Sequence, residues 1–483
     1  MTPTLIITTI AAYIALLFAV AFVSGRKSDN KGFFVGGRQS RWWVVMTAMV
    51  GAAMTGVSFV SVPGMVTTSG FAYMQMAIGF FVGYLIIAFV LVPLYFRLQL
   101  FSIYGYLNER LGIEAHKCGA WLFFISKLAG ASVRLFVVCA VLQPLLFDPL
   151  GLPFWVNGGA TVLLVWLYTF RGGVRSVIGT DLLRTACLVA SVVASICVVV
   201  AEMDWGFGDV VRLVCEEERG QIFFTDNVNE ERYFLKYIVG AIFIVVATTG
   251  LDQDMMQRSL SCRSTRDAQK NLIVANLLQT LVIFTLLVLG LLLCLFAEAK
   301  GIAWSGGSDA MFPTIATSPE MPLAVGLLFI LGLIASTYSA AGSALTALTT
   351  SFTLDLLGGG QLDEGSLTRL RKWVHAAMAV AMLTILIALY HIGNDSIIDT
   401  VYTLASYTYG PILGIFAFGL ATRFKLHRRG LWLVVVAAPA LSGLVQHLAK
   451  RWFDGYQIGY ELLLINAALT FVGMLLLAIP RRK

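Results

Sequence analysis

Charge is scarce in this sequence. Asp, Glu, Lys and Arg make up 13% of its 483 residues, about half the ~25% of a soluble globular domain. A chain this long with so few charges cannot cover a water-facing surface. The five histidines (His116, His375, His391, His427, His447) are scattered, and there is no HExxH pair and no phosphate-binding glycine loop. The usual marks of metalloprotease and nucleotide chemistry are therefore missing. The seven cysteines (Cys118, Cys139, Cys187, Cys197, Cys215, Cys262, Cys294) lie mostly inside apolar stretches without CxxC or metal-type spacing, and read as small buried hydrophobes. A net charge of +7 does not imply nucleic acid, because that requires basic residues gathered on one face. Here they sit between apolar runs.

Hydrophobic residues, by contrast, reach 58%. Apolar runs of about 20 residues recur from end to end, each long enough to cross roughly 30 Å of hydrocarbon. Unpaired backbone is too costly in lipid for anything but helices or closed barrels, and unbroken apolar runs without alternation select helices. An all-α polytopic membrane protein is expected, with about thirteen transmembrane helices: 3–23, 43–68, 72–96, 118–146, 153–169, 178–201, 233–256, 270–297, 320–354, 373–390, 397–421, 430–449 and 460–480. The first run has no basic segment before it and no small-residue cleavage site after it, so it is expected to be retained as a span.

Basic residues orient these spans. With the N-terminus outside, the inner loops carry 24 Lys and Arg and the outer segments 7, with Lys127, Arg134 and Arg184 inside spans completing the 34. This asymmetry predicts an integral plasma (inner) membrane protein with a cytoplasmic tail at Arg481, Arg482 and Lys483. The longest outer segment, 202–232, is acidic (Glu216, Glu217, Glu218, Asp226, Glu230, Glu231) and shorter than the ~50 residues a domain needs. With no separate catalytic module, the chain reads as one transporter domain and not as an enzyme. Its partners are then a small solute, a coupling ion and lipid; the oligomeric state stays open.

Two spans look interrupted. Gly51-Ala52-Ala53-Met54-Thr55-Gly56-Val57-Ser58 leads to Pro63-Gly64, and Ala247-Thr248-Thr249-Gly250 precedes Asp252-Gln253 at a presumed cytoplasmic end. Interrupted helices expose the backbone that holds substrates and ions in inverted-repeat transporters; small residues also serve close helix packing. The two lie five spans apart. That spacing predicts repeats at 43–201 and 233–421, an extra N-terminal helix at 1–30, and two C-terminal helices at 430–483. The ninth span is rich in hydroxyls, with Ser336, Ser339 and Ser343 on one face. Such oxygens suit a hard cation, or bond to their own helix backbone.

Short motifs in order resemble the sodium:solute symporter family across almost the whole chain: Phe33-Phe34-Val35-Gly36-Gly37-Arg38, Ile103 to Gly112, Gly172-Gly173 with Thr180-Asp181, Asp252-Gln253 with Gln257-Arg258, Ser343 to Leu348, and Tyr409-Gly410-Pro411-Ile412-Leu413-Gly414. The resemblance implies a five-plus-five inverted-repeat core and Na+ as coupling ion. It implies a first sodium position using Gly51, Met54 and Ser336 carbonyls and the Ser339 hydroxyl, and a second using Asp181 and Ser343. Three departures stand out: Ala340 replaces a second hydroxyl, Gly342 an often acidic residue, and Arg184 follows Asp181 where a glutamine is expected. Arg184 can pair with Asp181 at i,i+3. It can equally weaken sodium binding by repulsion.

Arg134 lies mid-span, where a charge costs at least ~2.5 kcal/mol. Its position resembles that of the carboxylate-binding arginine in sialic-acid members of the family. An anionic solute, a carboxylate or sialic-acid-like sugar acid, is expected there with Thr55, Ser58 and Gln75 as polar neighbours; an internal ion pair is the alternative. The expected function is sodium-coupled symport of a small organic solute. A sodium-independent or proton-coupled transporter is the alternative raised by Ala340, Gly342 and Arg184, and a membrane solute sensor of the same fold is a second.

Overall fold

The computed structural model describes residues 3–25, 40–100, 102–170, 173–305, 307–392, 397–426, 430–452 and 456–479. The motif at 33–38, Gly172 and the basic tail at 481–483 lie outside the described residues. The described chain is almost entirely helical, apart from a two-residue antiparallel ribbon, Lys425–Leu426 with Ala478–Ile479, and one parallel bridge between Ser40 and Cys262.

Among the described residues eight helices are long and apolar enough to cross a bilayer, or ten if each of two bent pairs is one span; three further apolar helices (Ile7–Val20, Phe154–Thr169, Leu462–Leu476) are shorter. The bent pairs are Trp42–Ala53 with Gly56–Ser69, at 56°, and Phe234–Gly250 with Gln253–Ser259, at 71°. Both interruptions therefore fall where the sequence weakens helix. Gly51 and Gly56 flank the first, and Gly250 precedes the second.

Leu323–Ser351 runs through the middle of the bundle, and every residue from Leu333 to Ser351 is buried. Gly173–Glu202 packs along it. Its hydroxyls have no water to bond, so Thr346, Thr349 and Thr350 donate to carbonyls four residues back. Gly56 sets how closely the first broken helix approaches this rod: a Cβ there would sit 2.0 Å from Thr337 Oγ1.

The segment at 202–232 is more than a connector. It contains the amphipathic helix Phe207–Glu216, held by a surface pair of Arg212 with Glu216 at 2.8 Å, and Arg219 reaches Glu298 at 2.6 Å. It also claims Gln75. The expectation that Gln75 borders the solute is corrected: the side chain is fully buried, its amide donates to Arg232 O at 3.1 Å and to Ala72 O, and its carbonyl accepts from the Phe224 N–H.

Candidate functional site: a cavity between two broken helices

At the first interruption Met54 leaves the helical range (φ −89°, ψ 87°) and Thr55 is extended (φ −88°, ψ 172°). No side chain caps the helix that restarts at Gly56, so its leading amides lack an intrahelical partner. The break borders a cavity of about 1260 Å³, counting the space continuous with solvent, lined here by Ala52, Ala53, Met54, Thr55, Val57 and Ser58.

The second interruption forms the opposite wall. Its last turn widens, so that the Leu251 N–H donates to Val246 O at 3.1 Å, and the exposed carbonyls are then claimed by tyrosines. Tyr95 donates to Gly250 O and Tyr104 to Leu251 O, both at 3.0 Å, while the Ile103 N–H donates to Gln253 Oε1 at 2.9 Å. Asp252 caps the following short helix by accepting from the Met255 N–H at 3.1 Å. The motif beginning at Ile103 is thus a staple for this break. Asp252 and Gln253, read from sequence as the cytoplasmic end of the span, are buried in the bundle.

Charge gathers in and behind this wall. Lys127 lies 3.1 Å from Asp252 and 2.8 Å from Asp254, and Tyr409 donates its hydroxyl to Asp252. Arg258, assigned from sequence to an inner basic loop, is 2% exposed and spans Asp181 (3.2 Å) and Asp254 (2.7 Å). Arg184 meets Asp181 at 3.2 Å, as the i,i+3 spacing predicts. Three buried carboxylates thus face three buried cations, and unpaired burial would cost several kcal/mol each.

Arg134 stands outside that balance. It lines the same cavity on the helix that carries Lys127, and among the described residues it has no ion pair and no hydrogen bond. The internal-pair alternative therefore finds no acid for it there. Thr55, Ser58 and Arg134 come together around one space.

Of the positions implied for sodium, Met54 and Ser343 line the cavity, whereas Gly51, Asp181, Ser336 and Ser339 lie buried behind it. The Ser336 hydroxyl donates to Leu333 O at 2.9 Å, leaving its own carbonyl as the implied ligand. Ser339 donates to Asp181 Oδ1 at 2.5 Å, which leaves its oxygen lone pairs available to a cation. Arg184 crowds Gly51, its Nη2 lying 3.0 Å from where a Cβ would be. At Gly342 the missing acid has a steric reason: a Cβ would fall 1.7 Å from the Tyr168 hydroxyl, which donates to Tyr338 O at 2.6 Å.

The sequence profile of the sodium:solute symporter family matches residues 33–430. The chain belongs to the sodium:solute symporter family. Sodium-coupled movement of a small solute, the function class expected from the sequence, is that of the family, and Na+ is its coupling ion. Among curated family members, the sodium-coupled monocarboxylate transporter 1 of Homo sapiens is 25% identical over 429 residues, covering 86% of this chain and 68% of its own. The sodium/sialic acid symporter NanT of Aliivibrio fischeri is 23% identical over 441 residues, covering 89% and 85%. A substrate-bound, outward-open Na+-coupled sialic acid symporter superposes with a TM-score of 0.82 at 16% identity, over 98% of this chain and 97% of that one. The all-α, inverted-repeat fold expected from the sequence is the fold of that symporter.

The roles of Lys127, Asp254 and Arg258 were missed by the sequence reading. The available signal was charge placed within or beside apolar runs, as for Arg134.

Proposed function

We propose that the cavity at the first break binds a small organic anion, with a carboxylate on Arg134 and with Thr55 and Ser58 as hydroxyl partners. Sodium travels with it on the Gly51, Met54 and Ser336 carbonyls and the Ser339 hydroxyl. The observation that carries this reading is an arginine in a cavity wall without a counter-ion among the described residues. Arginine presents a planar fork matched to a carboxylate, and a half-buried cation without a partner draws an anion to it. The similarity to monocarboxylate and sialic acid symporters supports the same solute class.

The chain sits in the inner plasma membrane with its N-terminus outside and C-terminus in the cytoplasm, the orientation the basic residues favour. The segments 43–201 and 233–421 act as two opposed repeats rocking about the cavity. Its work is transport, as in the family to which the chain belongs.

The test is a panel of small carboxylates and sugar acids, scored by thermal shift and then by counterflow in proteoliposomes. Arg134→Ala should raise the half-saturating concentration of the best carboxylate by about 10- to 100-fold, as expected for losing a charge-assisted contact, with little change in thermal stability. Unchanged affinity in a folded variant ends the carboxylate reading. A protein that binds solute but shows no counterflow is a sensor instead.

A further inference from the structure

We infer that Arg258 is a tethered cation that permanently fills the position formed by Asp181, Asp254 and Ser343, so that no mobile sodium is loaded there. The inference deepens the proposed function on its ion side and rests on that reading for the coupling ion alone.

Three side-chain oxygens converge on this one guanidinium. Nε donates to Asp181 Oδ2 at 3.2 Å, Nη1 to Asp254 Oδ1 at 2.7 Å, and Nη2 to the Ser343 hydroxyl oxygen. Ser343 in turn donates to Asp254 Oδ1. Two carboxylates and a hydroxyl are the hard-oxygen set a small cation seeks. They come from three different helices, Gly173–Glu202, Gln253–Ser259 and Leu323–Ser351, as the walls of an ion site do. Here those oxygens already hold a positive charge that cannot dissociate, because it is bonded to the chain and stays protonated.

The surroundings close off a second occupant. Lys127 contributes its ammonium to Asp254 at 2.8 Å, and Arg184 contributes to the other oxygen of Asp181 at 3.2 Å. A sodium ion entering would meet three fixed cations and would have to displace one. The position is nonetheless at the cavity wall, since Arg258, Asp254 and Ser343 all line it. Access is therefore not what bars an ion. Occupancy is.

Two variants test this in the full chain, with sodium itself as probe, by thermal shift across NaCl titrations balanced with choline chloride. Arg258→Ala should be less stable than the parent in choline and gain a steeper sodium dependence, with a higher Hill coefficient that recovers part of the lost stability. Arg258→Lys should keep the parent's dependence. Ser343→Ala in the parent should leave the half-saturating sodium concentration within about twofold, because the hydroxyl binds Arg258 and not sodium. A Ser343→Ala shift of about tenfold or more, or an Arg258→Ala protein whose lost stability sodium does not recover, overturns the inference. Should Arg258→Ala fail to fold in any salt, the Ser343→Ala titration decides alone. A parent protein indifferent to sodium refutes the coupling ion of the proposed function, while a gain in Arg258→Ala still upholds the tethered cation.

Discussion

The two broken helices use one device in opposite ways. At Met54–Thr55 the chain comes out of helix with no side chain stapling it, and the break borders the cavity. At Leu251–Asp252 the freed groups find protein partners: Tyr95 and Tyr104 take the Gly250 and Leu251 carbonyls, Asp252 takes the Met255 amide, and the Gln253 side chain ties the break to the Ile103 N–H. A helix interruption inside a membrane is therefore not by itself a binding site. It becomes one where the protein leaves its polar groups unspent.

The comparison is broken most severely by removing the charge that backs the second break. Lys127→Ala leaves Asp252 and Asp254 each short of a cation and should cost roughly 3–5 kcal/mol, read as loss of monodisperse protein or a large fall in Tm. A variant of parental stability would show that the second break does not depend on this clamp. Next in size is the approach of the first break to the central rod. Gly56→Ala pushes a methyl into Thr337 Oγ1 and should cost about 1–3 kcal/mol. Thr337→Ala removes the colliding atom, leaving Ser336 Oγ and Leu333 Cδ1 at 3.3 and 3.4 Å, so the double variant should recover most of the loss. Additive losses would argue that something other than this contact fixes Gly56.

The finest test compares single hydroxyls at the two breaks. Tyr104→Phe and Tyr95→Phe each uncover a buried carbonyl and should lower stability by about 1 kcal/mol without altering solute affinity. Thr55→Ala, which loses no cap, should do the reverse and change solute or sodium affinity more than Tm. Equal effects at both positions would erase the distinction.

Much of the fold was legible in the residue order because lipid enforces it. Each span needs its own apolar run, and Gly51, Gly56 and Gly250 mark where runs stop being helix. The Asp181–Arg184 pair was legible for the same reason, since helical geometry places i and i+3 together. Arg258 with Asp181 and Lys127 with Asp252 were not, because those partners lie on helices far apart in sequence and only packing joins them. Gln75 misled in the same way: a polar residue near the start of an apolar run looks functional until the outer segment that consumes its amide is seen.

The bend at Thr55 has one more consequence. Where a helix stops and restarts, the end of the first half carries about half a negative charge and the start of the second about half a positive one. Trp42–Ala53 and Gly56–Ser69 set these opposite poles within two residues of each other, so the place is neutral as a whole yet strongly polar across its width. Cargo that complements such a dipole is itself a dipole, an anion lying beside a cation. Either alone would leave one pole unanswered, which gives both a thermodynamic reason to cross together.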